Sequence, residues 1–346
     1  MVRDPFQIDD AFRKYIKARL LPRLGLSIIE CTLEMPLIGR KSCLRILKSR
    51  SGEGYVIRAF PANQQAKIEQ IRCAFELLNR HGIPAPALVD HAERFSQDIT
   101  FLTEAYLEGT LWRDQPLTEE LARKLAGLLA QLHRVQSDGW GSITRRNRPR
   151  GSFGRRQFKR VQTRLERIRR FSPNANRADF RALAAWFRTF QEALDARDRF
   201  DLTHEDIRPG NILYHEGGEV RLLDFATLRF GCRVKDLVDA ECSLLRNQRE
   251  RIEAFREVYF ASFPDTVRAQ FESVRDFYRG FYYLSRSDSI MRYYLKRKGG
   301  FPQAFHEEFR QHWNAVWTVM EGGDVRLKVD KDPRPVDVHT PSSPSG

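Results

Sequence analysis

The sequence predicts an α+β chain of two lobes, a small antiparallel sheet carrying one main helix, followed by a larger and mostly helical region. Three observations predict it. Between Leu26 and Gly109, short runs rich in β-branched and apolar residues are separated by turn-forming clusters. From Leu117 onward, apolar residues recur at helical spacing in long segments. Within that helical region a single stretch, LTHEDIRPGNILYHEGGEVRLL from Leu202 to Leu223, closed by Asp224, sets a His, two carboxylates and an Asn between short apolar runs. The length of 346 residues is enough for two lobes, each with its own core.

Taken in order, IDDAFRKYIKARLL (8–21) has helical periodicity after an acidic start and is expected to end before Pro22, so residues 1–25 form an amino-terminal helix. Residues 26–106 make the first lobe. SIIECTLEMPLI, SCLRILKS and GYVIRAF read as three antiparallel strands, and AKIEQIRCAFELLNRHG as the helix, with Gly82 at its stop. Pro84 and Pro86 force an extended segment, and PALVDHAERFSQDITFLTEAYLEG supplies two further strands. Residues 107–323 make the second lobe. It opens with LTEELARKLAGLLAQLHRVQ, for which Thr118 is the N-cap, and continues through FKRVQTRLERIRRF and RADFRALAAWFRTFQEALDA to helical segments at 234–263 and 267–320. The polar, Pro-rich residues 324–346 have the composition of a disordered tail.

Composition narrows the classes of function. No window approaches the ~18 uninterrupted apolar residues of a membrane-spanning helix, and MVRDPFQIDD lacks the apolar core of a secretory signal, so a cytoplasmic location is expected. Five scattered cysteines without a CxxC pair suggest neither a disulfide framework nor a zinc site. The net charge of +14 is concentrated: residues 145–170 hold twelve Lys/Arg against the single acid Glu166. Such a field attracts phosphates or an anionic membrane surface, and a merely solvated helix face is the competing reading. Only Phe153 and Phe158 stand among these arginines, so stacking on nucleic-acid bases is poorly supported and no specific nucleic acid is expected as a partner.

The central stretch carries the chemistry. Asp206 and Asn211 lie five apart across Arg208-Pro209-Gly210, a turn that brings both toward one point. NILYHEGGEVRLLDF then reads as a hairpin about Gly217-Gly218, delivering Asp224 beside Asn211. One carboxylate and one amide oxygen suit magnesium, which keeps phosphate oxygens in its shell, and Asp206 remains to orient a hydroxyl and receive its proton. Taken singly, these residues also fit plain structural roles, as turn formers, a strand end and a buried His.

The stretch resembles the catalytic and metal-binding segments of the protein kinase-like superfamily, and within it the aminoglycoside phosphotransferase and choline kinase group. His204, Asp206 and Asn211 meet the pattern HxDxxxxN, and Asp224-Phe225-Ala226 stands at the metal-binding Asp motif. The resemblance covers about residues 26–320. It implies a bilobal kinase-like fold, ATP and Mg2+ as cofactors, Asp206 as catalytic base, Asn211 and Asp224 as metal ligands, and His204 packed beneath the loop. Asp236, in KDLVDAE, matches the carboxylate that braces the catalytic loop, although a helix N-cap reading is also open. Twelve positions separate Asp224 from Asp236 and no Ala-Pro-Glu follows, so the long activation segment of peptide kinases has no room here.

For the nucleotide, the resemblance points to Gly39 and Ser42 in the loop between the first two strands, where a plain turn is equally open. Arg58 stands where the family has its phosphate-pairing Lys, a substitution that is not neutral. Glu69 is favoured over Glu76 as its helical partner, and a solvated role is open for both. Glu104 to Leu107, including Tyr106, falls at the adenine hinge, where backbone groups hold the base. His133 reads as a packed or capping residue.

The acceptor is read from charge. Aminoglycosides and choline are cations, whereas the basic segment favours an anionic hydroxyl-bearing small molecule or glycan. RVKDLVDAECSLLR with RIEAFREVYF is similar to bacterial lipopolysaccharide core and Kdo kinases, which points the same way. A pseudokinase is the competing class, motivated by Arg58, the single-glycine loop and Ala226.

Overall fold

A computed structural model of the chain describes residues 5–34, 43–96, 99–114, 117–144, 151–171, 176–215, 217–295 and 303–325. The chain divides into two compact units, Met1–Lys159 with Arg188–Tyr278 and Arg160–Phe187 with Arg279–Gly346.

The first unit begins with helix α1 (Pro5–Tyr15), a π-helical turn (Ile16–Leu20) and α2 (Leu21–Leu24). The expected stop at Pro22 is passed, because Pro22 falls in the first turn of α2, where no backbone N–H is required. The helix ends instead at Gly25, left-handed at φ 67°, whose N–H reaches the Pro22 carbonyl at 3.3 Å. Phe12, Tyr15 and Leu20 are buried with Ile57 and Phe101 of the sheet, and the Tyr15 and Phe101 rings stack at 4.4 Å.

Five antiparallel strands follow: β1 (Cys31–Glu34), β2 (Cys43–Ser49), β3 (Gly54–Pro61) and, after helix α3 (Gln65–Arg80), β4 (Leu88–Ser96) and β5 (Ile99–Ala105), in the order β1-β2-β3-β5-β4. The first strand starts later than its apolar run suggests. Ser27 and Glu30 close a capping box that winds Ile28–Glu30 into a 3-10 turn, with the Ser27 N–H on Glu30 Oε2 at 3.1 Å. In the β3/β5 register Val56 lies opposite Glu104 and Arg58 opposite Leu102, so Arg58 and Glu104 share one face as diagonal neighbours.

Next come β6 (Thr110–Leu111), helix α4 (Glu119–His133), β7 (Gln136–Ser137), β8 (Gly141–Ser142) and helix α5 (Phe153–Phe171). Thr118 caps α4, its hydroxyl accepting the Leu121 N–H at 3.2 Å. The segment read as a single helix is two, α6 (Arg177–Arg188) and α7 (Gln191–Asp195), and the break puts Asp195 at the first turn of α5, where it accepts from the Gly154 N–H and Ser152 Oγ, both at 2.7 Å.

The chain continues through β9 (Phe200–Thr203), β10 (Ile212–Tyr214), β11 (Val220–Leu222), β12 (Arg229–Gly231), helix α8 (Val234–Asp239) with a π turn over Ala240–Leu244, then α9 (Arg249–Ala261), α10 (Asp265–Leu295) and α11 (Gln303–Met320). Two small sheets, β11-β10-β6 and β7-β9-β12-β8, frame the central stretch. The second unit has its own core, in which Phe180, Leu183, Phe187, Phe281, Leu284, Val316 and Val319 are buried and Phe180 packs on Trp313 at 5.3 Å. Among the described residues no helix is long and apolar enough to cross a membrane. The architecture is the α+β kinase-like one expected, a small antiparallel sheet with one helix followed by a larger helical region.

Candidate active site

The floor of the site is a buried carboxylate. Asp236, in the first turn of α8, accepts the His204 N–H at 2.6 Å and the Glu205 N–H at 2.9 Å, and faces His133 Nε2 at 3.3 Å. Burial alone would raise its pKa, but the bond to His133 and the charges around it hold the carboxyl below its ordinary value. His133 is held in turn by the Tyr259 hydroxyl at 2.8 Å. These bonds fix the backbone at Glu205, which is left-handed at φ 66°. His204 Nε2 donates to the Leu223 carbonyl at 3.0 Å, and Thr227 Oγ1 donates to the His204 carbonyl at 2.8 Å. The sequence could not separate brace from N-cap for Asp236; in the structure its carboxylate is spent on the loop.

Above this floor stand Asp206, Asn211 and Asp224. Asn211 Nδ2 donates to both the Asp206 carbonyl and Asp206 Oδ2 at 2.9 Å. The Leu223 N–H closes on the Asn211 carbonyl at 2.9 Å, extending the β10/β11 hairpin so that Asp224 follows directly beside Asn211. Asp224 is left-handed, at φ 62° and ψ 74°. Arg208 Nε lies 3.1 Å from Asp206 Oδ2.

Both Nδ2 bonds of Asn211 go to Asp206, which leaves Oδ1 as a ligand oxygen. The Asp224 carboxylate makes no hydrogen bond or ion pair among the described residues, although its charge reaches Arg58. One amide oxygen and one uncommitted carboxylate, with phosphate oxygens to complete the shell, fit Mg2+.

On the sheet, Arg58 donates from Nε and Nη2 to Glu104 Oε1, at 3.1 and 2.7 Å. Burial works against the Arg58 charge, and Glu104 and more weakly Asp224 outweigh it, raising its pKa. Glu69 is not brought to Arg58. It pairs with Arg72 at 2.7 Å and accepts from Cys73 Sγ at 3.4 Å, while Glu76 also pairs with Arg72. Glu104 therefore contributes its side chain, a role its hinge position did not suggest. The Tyr106 N–H is bonded to the Gly54 carbonyl at 2.8 Å, so this backbone donor belongs to the sheet. Gly39 and Ser42 lie outside the described residues.

Two residues of the site escaped sequence reasoning. Gln70 of α3 donates to the Leu228 carbonyl just after the Asp224 segment and accepts from Ser142 Oγ at 2.6 Å, tying helix to loop. Lys235 is buried against Asp239 and reaches the Glu205 carbonyl at 3.3 Å. Gln70 sits in no motif, whereas Lys235 and Asp239 stand at i,i+4 within KDLVDAE, where only Asp236 drew a role.

A five-stranded sheet bearing an arginine at the third strand, a braced HxD loop and a metal-type Asn/Asp pair define a phosphotransferase of the kinase-like fold. The chain belongs to the phosphotransferase enzyme family (APH), which it matches over residues 44–271. No curated protein sequence matches it. Among solved structures it is similar to the Plasmodium vivax ethanolamine kinase (13% identity, TM-score 0.64, covering 92% of this chain and 91% of that one). It is also similar to the spectinomycin phosphotransferase APH(9)-Ia in complex with ADP and spectinomycin (14%, TM-score 0.56, 88% and 97%). A candidate fructosamine-3-kinase from Haemophilus somnus 129PT matches at 14% identity and TM-score 0.59, covering 87% and 96%. The chain is thus a small-molecule kinase that phosphorylates hydroxyl groups, with ATP as its cofactor.

Proposed function

We propose that the protein transfers the γ-phosphate of ATP to a hydroxyl of an anionic small molecule or glycan, with a sugar of the lipopolysaccharide-core type as the leading acceptor. The observation that carries the acceptor class is Arg208, whose guanidinium, 57% exposed, stands 3.1 Å from Asp206. A cation approaching Asp206 meets that charge, whereas an anionic sugar is drawn to it. The basic content of residues 145–170 supports the same class. A glycan carried on a lipid would bring the protein to an anionic membrane surface from the cytoplasmic side.

In this reading Asp206 accepts the hydroxyl proton and aligns its oxygen, and Asn211 holds the Asp206 carboxylate in place. Asn211 Oδ1 and Asp224 hold Mg2+, which when bound neutralises phosphate charge. Arg58, with Nη1 left over from its bonds to Glu104, meets the phosphates, and Asp236 with His204 keeps the loop rigid. The backbone of Gly39 and the Ser42 hydroxyl are placed at the phosphates by resemblance alone.

Magnesium-dependent ATP turnover tests this with Kdo and phosphorylated core sugars against aminoglycosides and choline. Turnover with the anionic sugars is expected. A preference for the cations would sink the charge argument, and equal background consumption by wild type and Asp206→Ala would point to a pseudokinase.

A further inference from the structure

The second unit holds more positive charge than its carboxylates answer. Arg160, Arg164 and Arg167 recur at i, i+4 and i+7 along one face of α5, and Phe281, Asp288 and Arg292 at i, i+7 and i+11 along α10. The two stripes meet. The Arg164 guanidinium lies 4.5 Å from the Phe281 ring centre and that of Arg160 lies 5.0 Å from it. Arg167 Nη2 reaches Asp288 Oδ2 at 2.8 Å, and Arg292 Nε reaches the same oxygen at 3.3 Å.

Two guanidinium groups therefore share one oxygen of Asp288, which is only 1% exposed, while that of Arg164 lies on Phe281 within reach of its charge. Glu166, the acid of the basic segment, is turned to Arg169 and Arg170 at 2.9 and 3.1 Å and does not contribute. Burial, then Arg160, Arg167 and Arg292, push the Arg164 pKa down to about 10, with Asp288 alone opposing. Arg164 Nη1 donates to the Arg160 carbonyl, but among the described residues Arg164 Nε and Arg167 Nε are buried without an acceptor and Asp288 Oδ1 is buried without a donor. A structural ion-pair network would balance its charges and use its donors, since like charges gathered out of water oppose folding.

We propose that this cluster is a binding site for a phosphate-class oxyanion, carried as a phosphomonoester on a soluble sugar or as a lipid headgroup phosphate. A dianion answers the surplus of charge, and guanidinium forks match phosphate oxygens two at a time. Arg167 and Arg292, 36% and 53% exposed, leave the cluster open to solvent, while the Phe281 ring holds the Arg160 and Arg164 planes. The inference requires binding alone and stands apart from the assignment of the catalytic residues.

The test measures thermal shift and calorimetric affinity at fixed ionic strength, with ADP saturating the nucleotide site. The probes are inorganic phosphate, glucose 6-phosphate, and phosphatidic acid vesicles against phosphatidylcholine vesicles. Wild type is expected to bind a phosphate-bearing probe, and Arg164→Met to weaken that binding at least tenfold while ADP affinity and the phosphate-free Tm are kept. Arg292→Ala, at a more exposed position, gives the same readout should Arg164→Met fail to fold. Glucose 6-phosphate binding identifies a soluble ligand, and binding confined to phosphatidic acid a lipid one. Shifts matched by chloride, undiminished binding in the variants, or no binding to any probe would overturn the proposal.

Discussion

The Arg58–Glu104 pair shows most clearly what single residues do here. Its partners lie on adjacent strands, so the pair is built by sheet register and needs no swing of α3. Glu104→Ala leaves a mostly buried guanidinium without its counter-charge, and on the order of 3 kcal/mol of stability is expected to go, together with a raised KM for ATP. Glu69→Ala removes a half-buried helical pair with Arg72 and the weak Cys73 thiol bond, so a change within about 1 kcal/mol and an unaltered KM are expected. Denaturant melts and ATP kinetics on the two variants check this, and the reverse ranking would restore Glu69 as the partner. Asp206→Ala is expected to lower kcat by about 10²- to 10⁴-fold with little change in nucleotide affinity, read by single-turnover kinetics and ADP titration. Asp206, Asn211 and Asp224 were legible because one turn and one hairpin bring them together over short sequence distances. The partner of Arg58 was not, since choosing among Glu69, Glu76 and Glu104 requires knowing which strands pair and which face of α3 turns inward.

At the scale of elements, α3 meets the catalytic half through Gln70 and through Phe75, whose ring lies 5.9 Å from that of Phe225. Gln70→Ala is expected to reduce kcat while costing only about 1 kcal/mol of stability, because it cuts the tie to the Leu228 carbonyl and Ser142 and leaves the apolar contact. Paired turnover and melting measurements check it, and a full loss of folding would show the contact to be structural. After β5, the chain turns through Gly109, at φ 138°, where a Cβ would stand 2.4 Å from the Tyr214 carbonyl oxygen. Gly109→Ala is expected to cost about 2 kcal/mol or more in a chemical melt through both the clash and the backbone. The five strands and the main helices were readable from periodicity. The breaks were not: the 3-10 turn at Ile28–Glu30, the passage through Pro22 and the split between α6 and α7 depend on caps and packing that periodicity does not carry.

For the whole molecule, the second unit carries its own pH sensitivity. His312 is buried beside Arg286, and burial first, then that charge, push its pKa down to about 4. A depressed His binds fewer protons folded than unfolded, so its contribution is full above the unfolded value near 6.5 and is lost as pH falls from there toward 4. The loss is up to about 3 kcal/mol, reduced by Glu308, whose Oε1 is 3.9 Å away and attracts the protonated ring. Melting between pH 7 and 4 should show this slope, and His312→Phe, which can keep the stacking with Tyr283, should flatten it. An unchanged slope in the variant would assign the acid sensitivity elsewhere.

By itself the sequence determined the fold class and the main helices and strands, and it brought Asp206, Asn211 and Asp224 together as the candidate site, since each is written in local spacing. The tertiary structure decided the partner of Arg58, the bracing of Asp236 by backbone and His133, and the meeting of the α5 arginines with Asp288. Each of these joins residues far apart in the chain, and only the packing of sheet and helices determines which charges end within reach of one another.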